Sequence, residues 1–264
     1  MKETISLDES ARYSRRSILR SEKVYGYGYQ SPGGAVTTQE LAQRLDLANR
    51  SGLRVLDIGC GTGGAAMFLA EHHAATVTGV DFAAAMIEIC NERVGENGRT
   101  GLTFVHGDAC NADLFSPETF DLIWTRDCVL HIEDKPRLWS NAIRWLKTGG
   151  QLMATDFGRS DGELSADFMQ YVTDSYYHLQ DLDCYHRTIE EAGFSDVHSE
   201  DITPRFIELN EQDLTQLIQR RDEFLSEFDE TELTHLIDRW KKKLRFAQGG
   251  DLTWLLFMAR KPLL

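Results

Sequence analysis

The segment Val55-Leu56-Asp57-Ile58-Gly59-Cys60-Gly61-Thr62-Gly63-Gly64 constrains this chain more than any other. A short, mostly apolar run from Leu53 to Ile58 stops at a glycine, and Ala65-Ala66-Met67-Phe68-Leu69-Ala70 continues beyond it as a helical stretch. An apolar run of that length, bounded by glycine, suits a strand buried in a parallel sheet. Glycines in the connection let backbone approach a ligand closely, and the next helix presents free N–H groups at its start. GxG after a strand also occurs in dinucleotide sites, so the loop alone leaves a nicotinamide cofactor open.

The pattern continues downstream. Thr76-Val77-Thr78-Gly79-Val80 reads as a strand ending at Asp81, and Ala83 to Val94 as a helix. Leu102-Thr103-Phe104-Val105 is a third strand ending near Asp108, and Phe120-Asp121-Leu122-Ile123-Trp124 a fourth. Leu138 to Leu146 is a helix stopped by Gly149-Gly150, and Gln151-Leu152-Met153-Ala154-Thr155 a fifth strand. This alternation over residues 50–157 predicts an α/β fold, a doubly wound, mostly parallel sheet with helices on both faces. Ligands in such sheets bind at the carboxyl ends of the strands. Upstream, Leu41, Leu45 and Leu47 share a face of a helical pattern. Beyond residue 157 the pattern turns helical: Ala166 to Tyr177, Leu182 to Ala192, Glu211 to Phe228 and Glu232 to Phe246. Trp254 to Ala259 closes as an apolar strand, so a helical insertion is expected after the fifth strand. With no repeat and no clear linker, residues 1–264 read as one domain in three parts: 1–48, 49–157 and 158–264.

Composition narrows the function. Lys and Arg number 28 against 42 Asp and Glu, a formal charge of −14. That balance repels phosphate backbones and disfavours a nucleic-acid partner. No stretch approaches the ~20 apolar residues needed to cross a bilayer. Met1 to Ser10 lacks an apolar signal core. Cys60, Cys90, Cys110, Cys128 and Cys184 are odd in number, scattered and without a CxxC pair. Neither a zinc site nor a disulfide framework is expected, and a cytoplasmic location is.

Acidic residues sharpen the loop. Asp57 lies inside the first strand. Asp81 ends the second, where a carboxylate can accept from both ribose hydroxyls. Asp108 ends the third, where an adenine amino group can be read. A helix-capping role for Asp81 and Asp108 is the competing reading.

On these residues the chain resembles the class I S-adenosylmethionine-dependent methyltransferases: VLDIGCGTG, Asp81 and Gly107-Asp108-Ala109 look like their cofactor motifs. The resemblance narrows further. Tyr13, Ile18-Leu19-Arg20, Val24-Tyr25-Gly26-Tyr27-Gly28 and Ser31-Pro32-Gly33-Gly34 look like the N-terminal lid of the phosphoethanolamine N-methyltransferases. Trp124 to His131 is similar to that family's SRD-x-x-LH segment. Trp145 to Gly150, Thr155-Asp156-Phe157, Trp240 with Lys243, and Trp254 to Lys261 also fit. The resemblance implies S-adenosylmethionine as cofactor, S-adenosylhomocysteine as product, no metal, and a small-molecule amine as acceptor; a monomer is expected, with an oligomer left open. It implies a lid over 1–48, a cofactor core over 49–157 and an acceptor side over 158–264. The implied cofactor set is Tyr13, Ser31, Asp57, Gly59, Cys60, Gly61, Asp81, Phe82, Met86, Asp108, Ala109 and Arg126, with Asp57 near the cofactor's positively charged end.

Methyl transfer to nitrogen needs a lone pair, and an amine with a pKa of ~10.4 is almost wholly protonated at pH 7. The site must remove a proton, and a histidine titrating near neutrality suits the task. His131 is the candidate base. Asp127, four residues earlier, shares a side with it if the segment is helical, and can hold an ammonium. The resemblance adds Tyr13 as the partner that closes the site over His131. Aromatic faces suit a methylated ammonium, and Tyr27, Phe157, Tyr171, Tyr177 and Tyr185 are candidate walls, with core packing as the alternative for each.

Two positions depart from the family pattern. Phe157 stands where the family has tyrosine. Ser175 stands where the family has an arginine that grips the acceptor's phosphate, leaving Lys243 as the retained contact. A bidentate arginine contact is not replaced by serine, and Arg159 or Arg205 are candidates to take over the anion. The expected function is N-methylation of phosphoethanolamine or its methylated forms. A different small amine, O-methylation of a small acid or phosphonate, and a non-catalytic cofactor-binding module are the alternatives.

Overall fold

In the computed structural model, which describes residues 13–45, 47, 52–97 and 100–263, strand β1 (Arg54–Ile58) lies at the centre of the sheet. Val55 and Leu56 are fully buried and project to opposite faces, so one strand feeds two hydrophobic layers. β2 (Thr76–Asp81) and β4 (Phe120–Arg126) flank it in parallel. β3 (Leu102–His106) extends the sheet beyond β2, and β5 (Leu146–Arg159) beyond β4, also in parallel. β6 (Ser195–Asp201) and β7 (Leu252–Arg260) complete the order β3-β2-β1-β4-β5-β7-β6, with β7 antiparallel to both neighbours.

Helices cover both faces. α1 (Arg15–Tyr25) and α2 (Gly34–Gln43) precede β1. α3 (Gly64–His73), α4 (Ala84–Asn97) and α5 (Lys135–Trp145) follow β1, β2 and β4. α6 (Ala166–Asp174) and α7 (Leu182–Glu191) lie between β5 and β6. α8 (Thr203–Gln219), α9 (Arg221–Leu225) and α10 (Glu230–Gln248) lie between β6 and β7. The doubly wound, mostly parallel sheet expected from the alternation is the observed fold. Met1–Ser10, read above for a signal core, lies outside the described residues.

Three boundary expectations are corrected. The helical insertion is divided by β6, so its larger part follows the sixth strand rather than the fifth. β6 escapes a hydropathy reading because it is an edge strand in which Asp196, His198, Glu200 and Asp201 outnumber the apolar residues, a composition that keeps edges from aggregating. The helix expected from Ala166 to Tyr177 ends at Asp174, where Tyr176 takes φ 52°. The helix expected from Glu211 begins at Thr203 and stops at Gln219.

The N-terminal helices are fastened to the sheet by buried charge. Glu22 accepts from both terminal nitrogens of Arg93 on α4 at 2.8 Å, from Gly28 N and from the Thr62 hydroxyl in the glycine loop. Both charged side chains are only 8% exposed, so removing either strands the other charge at a cost of ~3–5 kcal/mol. From the end of β4, Arg126 donates to the carbonyls of Pro32 and Gly34 and to Thr38.

Candidate active site

A cleft of about 810 Å³ opens between α1 and the carboxyl ends of β1, β2 and β4. It sits where the strand order reverses, the expected ligand position in a doubly wound sheet. Its floor is the glycine loop. Gly59 has φ 68°, and a Cβ there would stand 2.2 Å from the Cys128 sulfur. Only glycine lets the loop pass beneath Cys128.

Asp81 braces this floor. Oδ2 accepts from Gly61 N and Oδ1 from Ala83 N, both at 2.9 Å. Each oxygen retains a further lone pair and Asp81 lines the cleft, so capping and ligand binding are compatible for this residue. Burial pushes its carboxyl up to about 6, against the two N–H groups that favour the charge. Asp57 is more extreme. It is 2% exposed, its Oδ2 has no hydrogen-bond partner among the described residues, and burial, with Asp81 adding, pushes it up to about 8. An unpaired carboxylate oxygen in a buried site costs free energy until a cation or donor meets it. Asp108 accepts from Cys110 N at 2.8 Å and stands at the cleft wall with Ala109. A buried acceptor, a glycine-rich floor and an acid at the end of β2 fit a nucleoside cofactor with a cationic end.

Across the cleft, Asp127 follows β4 directly, held at φ 52° by the bond from its N–H to Thr155 O at 2.7 Å. A non-glycine residue in this region carries ~1–3 kcal/mol of strain, which functional sites tend to hold. Its Oδ1 accepts from Trp254 Nε1 at 2.7 Å and Thr155 Oγ1 at 3.2 Å, while Oδ2 has no partner among the described residues. His131 lies in a single 3₁₀ turn, Val129–His131, so the helical spacing proposed for Asp127 and His131 is corrected: a strand end and a tight turn bring them to one cleft. Tyr13 reaches over from before α1, its hydroxyl 3.3 Å from His131 Nε2, and Tyr177 packs edge-on against the imidazole at 5.3 Å.

The far wall is aromatic and cationic. Phe157, Tyr25, Tyr177 and Trp240 line it, with the Lys243 ammonium 4.1 Å from the Phe157 ring centroid. Arg239, one helical turn before Lys243 on α10, also lines the cleft. Sequence reading missed it: a charged residue among Asp238, Lys241 and Lys242 carries no mark of which face it takes.

A methyltransferase domain model matches residues 55–150. Phosphoethanolamine N-methyltransferase of Plasmodium falciparum is 30% identical over 96% of this chain and 94% of its own length. This chain belongs to the phosphoethanolamine N-methyltransferase family. Phosphoethanolamine N-methyltransferase 1 of Triticum aestivum is 36% identical over 96% of this chain and 50% of its own length. The chain thus spans about half the length of the plant relatives it matches. Among solved structures, Haemonchus contortus phosphoethanolamine N-methyltransferase 2 in complex with phosphomonomethylethanolamine and S-adenosylhomocysteine superposes with a TM-score of 0.91 at 33% identity, covering 95% of this chain and 59% of that one.

Most residues that the family resemblance marks line one cleft: Tyr13, Ser31, Asp57, Gly59, Cys60, Gly61, Asp81, Phe82, Met86, Asp108, Ala109, Arg126, Asp127, His131, Phe157, Tyr177 and Lys243. Arg126 reaches its wall with both terminal nitrogens committed to the N-terminal segment, which makes it a clamp on that segment. Four expected acceptor residues lie elsewhere. Tyr27 is turned outward by the Gly26 and Gly28 bends, 61% exposed, with the Arg93 guanidinium stacked at 4.1 Å. Tyr171 packs behind Tyr177 against Phe168 and Phe246. Ser175 is buried at the end of α6, its N–H on Tyr171 O. Tyr185 is core, its hydroxyl donating to Asp156. Nor do the proposed replacements reach the cleft: Arg159 pairs with Asp181, and Arg205 with Glu40 and Glu208.

Proposed function

We propose that this chain transfers methyl groups to the nitrogen of phosphoethanolamine or its methylated forms. The observation that carries the reading is the Asp127 carboxylate, with one oxygen fixed by Trp254 and the other without a partner among the described residues, in the cleft that also holds the Tyr13–His131 pair. S-adenosylmethionine, when bound, supplies an electrophilic methyl on a sulfonium. Asp57, Asp81, Asp108 and the glycine loop are the residues to hold it. Asp127 Oδ2 accepts from the acceptor's ammonium and orients it. His131 takes the proton that frees the nitrogen lone pair, and Tyr13 Oη holds the imidazole and covers the cleft mouth as part of the lid. Phe157, Tyr177, Tyr25 and Trp240 exclude water and face the increasingly methylated cation. Lys243 and Arg239 meet the phosphate. No helix among the described residues is long and apolar enough to cross a membrane.

A serine at position 175, where the family resemblance implies an arginine on the phosphate, favours a second reading, a non-phosphorylated small amine. Two cations on α10 weigh against it. The test is an acceptor panel assayed by cofactor consumption and product mass. Methylation of phosphoethanolamine, with ethanolamine and small carboxylated amines much slower, supports the reading. Preference for an uncharged amine transfers it to the second, and no methylated product from any acceptor sinks both.

A further inference from the structure

Lys135 is the least expected charge in the molecule. It opens α5, where the helix dipole disfavours a cation, and it is 1% exposed. Burying an ammonium costs several kcal/mol after relaxation, so it persists only where its donors are well used. Its Nζ donates to Val129 O at 2.9 Å and to Ile132 O at 2.7 Å, the carbonyls on either side of Leu130-His131. One ammonium therefore bridges both ends of the turn that carries His131. The turn is gripped from other directions too. His178 N donates to Leu130 O at 2.7 Å, and the Leu130 N–H faces the buried Asp156 carboxylate, which also accepts from Tyr185. The Tyr185 ring lies 5.6 Å from Nζ, giving the cation an aromatic face.

We infer that Lys135 is a positioning residue for His131: its ammonium fixes the Val129–Ile132 turn so that the imidazole meets Tyr13 and faces Asp127. The inference rests on His131 acting as the acid–base group. His131 is otherwise exposed and carried on one short turn, so its aim depends on the turn's carbonyls being held. Two lysine bonds on carbonyls flanking the imidazole fix the turn's pitch at both ends, which a single bond does not do. Burial pushes the ammonium down to about 8, against the Asp156 carboxylate, which favours its charged form; Cys128, Cys110 and Cys184 are the other titratable groups around it.

The test uses Lys135→Met, which keeps the stem and removes the donors, and Lys135→Gln, which keeps one short amide donor for use if the first variant does not fold. Each is made alone and with His131→Ala. The expected result for Lys135→Met is a ~10–100-fold fall in kcat, the scale of a catalytic group displaced by about 1 Å, with unchanged cofactor affinity. In the His131→Ala background the same change should give no further fall, because the group it aims is gone. An equal fall in both backgrounds means a structural role and overturns the inference. A second readout does not depend on catalysis. The His131 imidazole, followed by NMR, should change its chemical shifts and titration midpoint in the Lys135 variant. If His131→Ala proves fully active, the proposed catalytic reading fails, and the imidazole signal alone decides positioning. An unchanged signal overturns it.

Discussion

Trp254 Nε1 donates to Asp127 Oδ1 at 2.7 Å, from a strand that arrives 127 residues later in the chain. The bond uses one carboxylate oxygen and leaves the other without a partner among the described residues, so in the proposed reading the last strand braces the acceptor site. Asp127→Asn should lower kcat/KM for the amine by ~10–150-fold, the equivalent of the ~1.5–3 kcal/mol of a charged hydrogen bond, with cofactor binding intact. Trp254→Phe should give a smaller loss, since the carboxylate survives but rotates. Steady-state kinetics on both variants, with calorimetry of cofactor binding as control, decides; an unaffected Asp127→Asn enzyme removes the residue from the mechanism.

His131→Ala should reduce kcat by ~10²–10⁴, the span for a positioned acid–base group, and remove a near-neutral limb from the pH–rate profile. Tyr13→Phe should cost less, because the ring still covers the cleft. Wild-type turnover in His131→Ala would return the residue to a structural role.

Asp57 makes binding and stability pH-linked. Its carboxyl, raised from 3.8 to about 8, is largely protonated at pH 7 in the free protein. A cationic ligand end beside it should drive the proton off. Calorimetry at pH 7 in buffers of different ionisation enthalpy should show proton release on cofactor binding, absent in Asp57→Asn. The sign for stability is fixed by the same shift. The folded state holds the proton more tightly than the unfolded state, so this contribution is full below about 3.8 and lost as pH rises through 8. Asp57→Asn should therefore melt above the native protein at pH 8.5, with the gap narrowing toward pH 5.

Arg239 and Lys243 should divide phosphorylated from plain amines. Arg239→Ala should raise KM for phosphoethanolamine about tenfold or more, within the ~1.5–3 kcal/mol of a charged contact, and leave ethanolamine kinetics unchanged. Equal effects on the two acceptors would show that Arg239 does not read the phosphate.

Ser175→Arg separates sequence position from spatial position. Serine here is 7% exposed and does not line the cleft. The larger side chain should overpack the end of α6 and destabilise the fold by ~1–3 kcal/mol without tightening phosphoethanolamine. A gain in affinity for the phosphorylated acceptor would mean that this position reaches the anion after all.

Six of the seven strands, and the residues lining the cofactor side of the cleft, were legible in the residues themselves. Apolar runs of four to six residues ending in Gly59, Asp81 and near Asp108 are local signals, and the doubly wound arrangement turns strand ends into neighbours without further information. Tertiary structure decided the acceptor side. Tyr27 and Tyr25 are two residues apart around a glycine, and only the packed turn sends one to solvent and the other to the cleft. Arg239 and Lys242 are both cations on α10, yet only the docked helix puts Arg239 in the cleft and leaves Lys242 beside Asp167. Lys135 looks from sequence like one more surface charge before Pro136, and its burial follows from how the Val129–Ile132 turn folds back over it. Periodicity and spacing report what neighbours in sequence do to one another. A wall assembled from α1, β4, β5, α10 and β7 is set by which faces those elements turn inward when they pack.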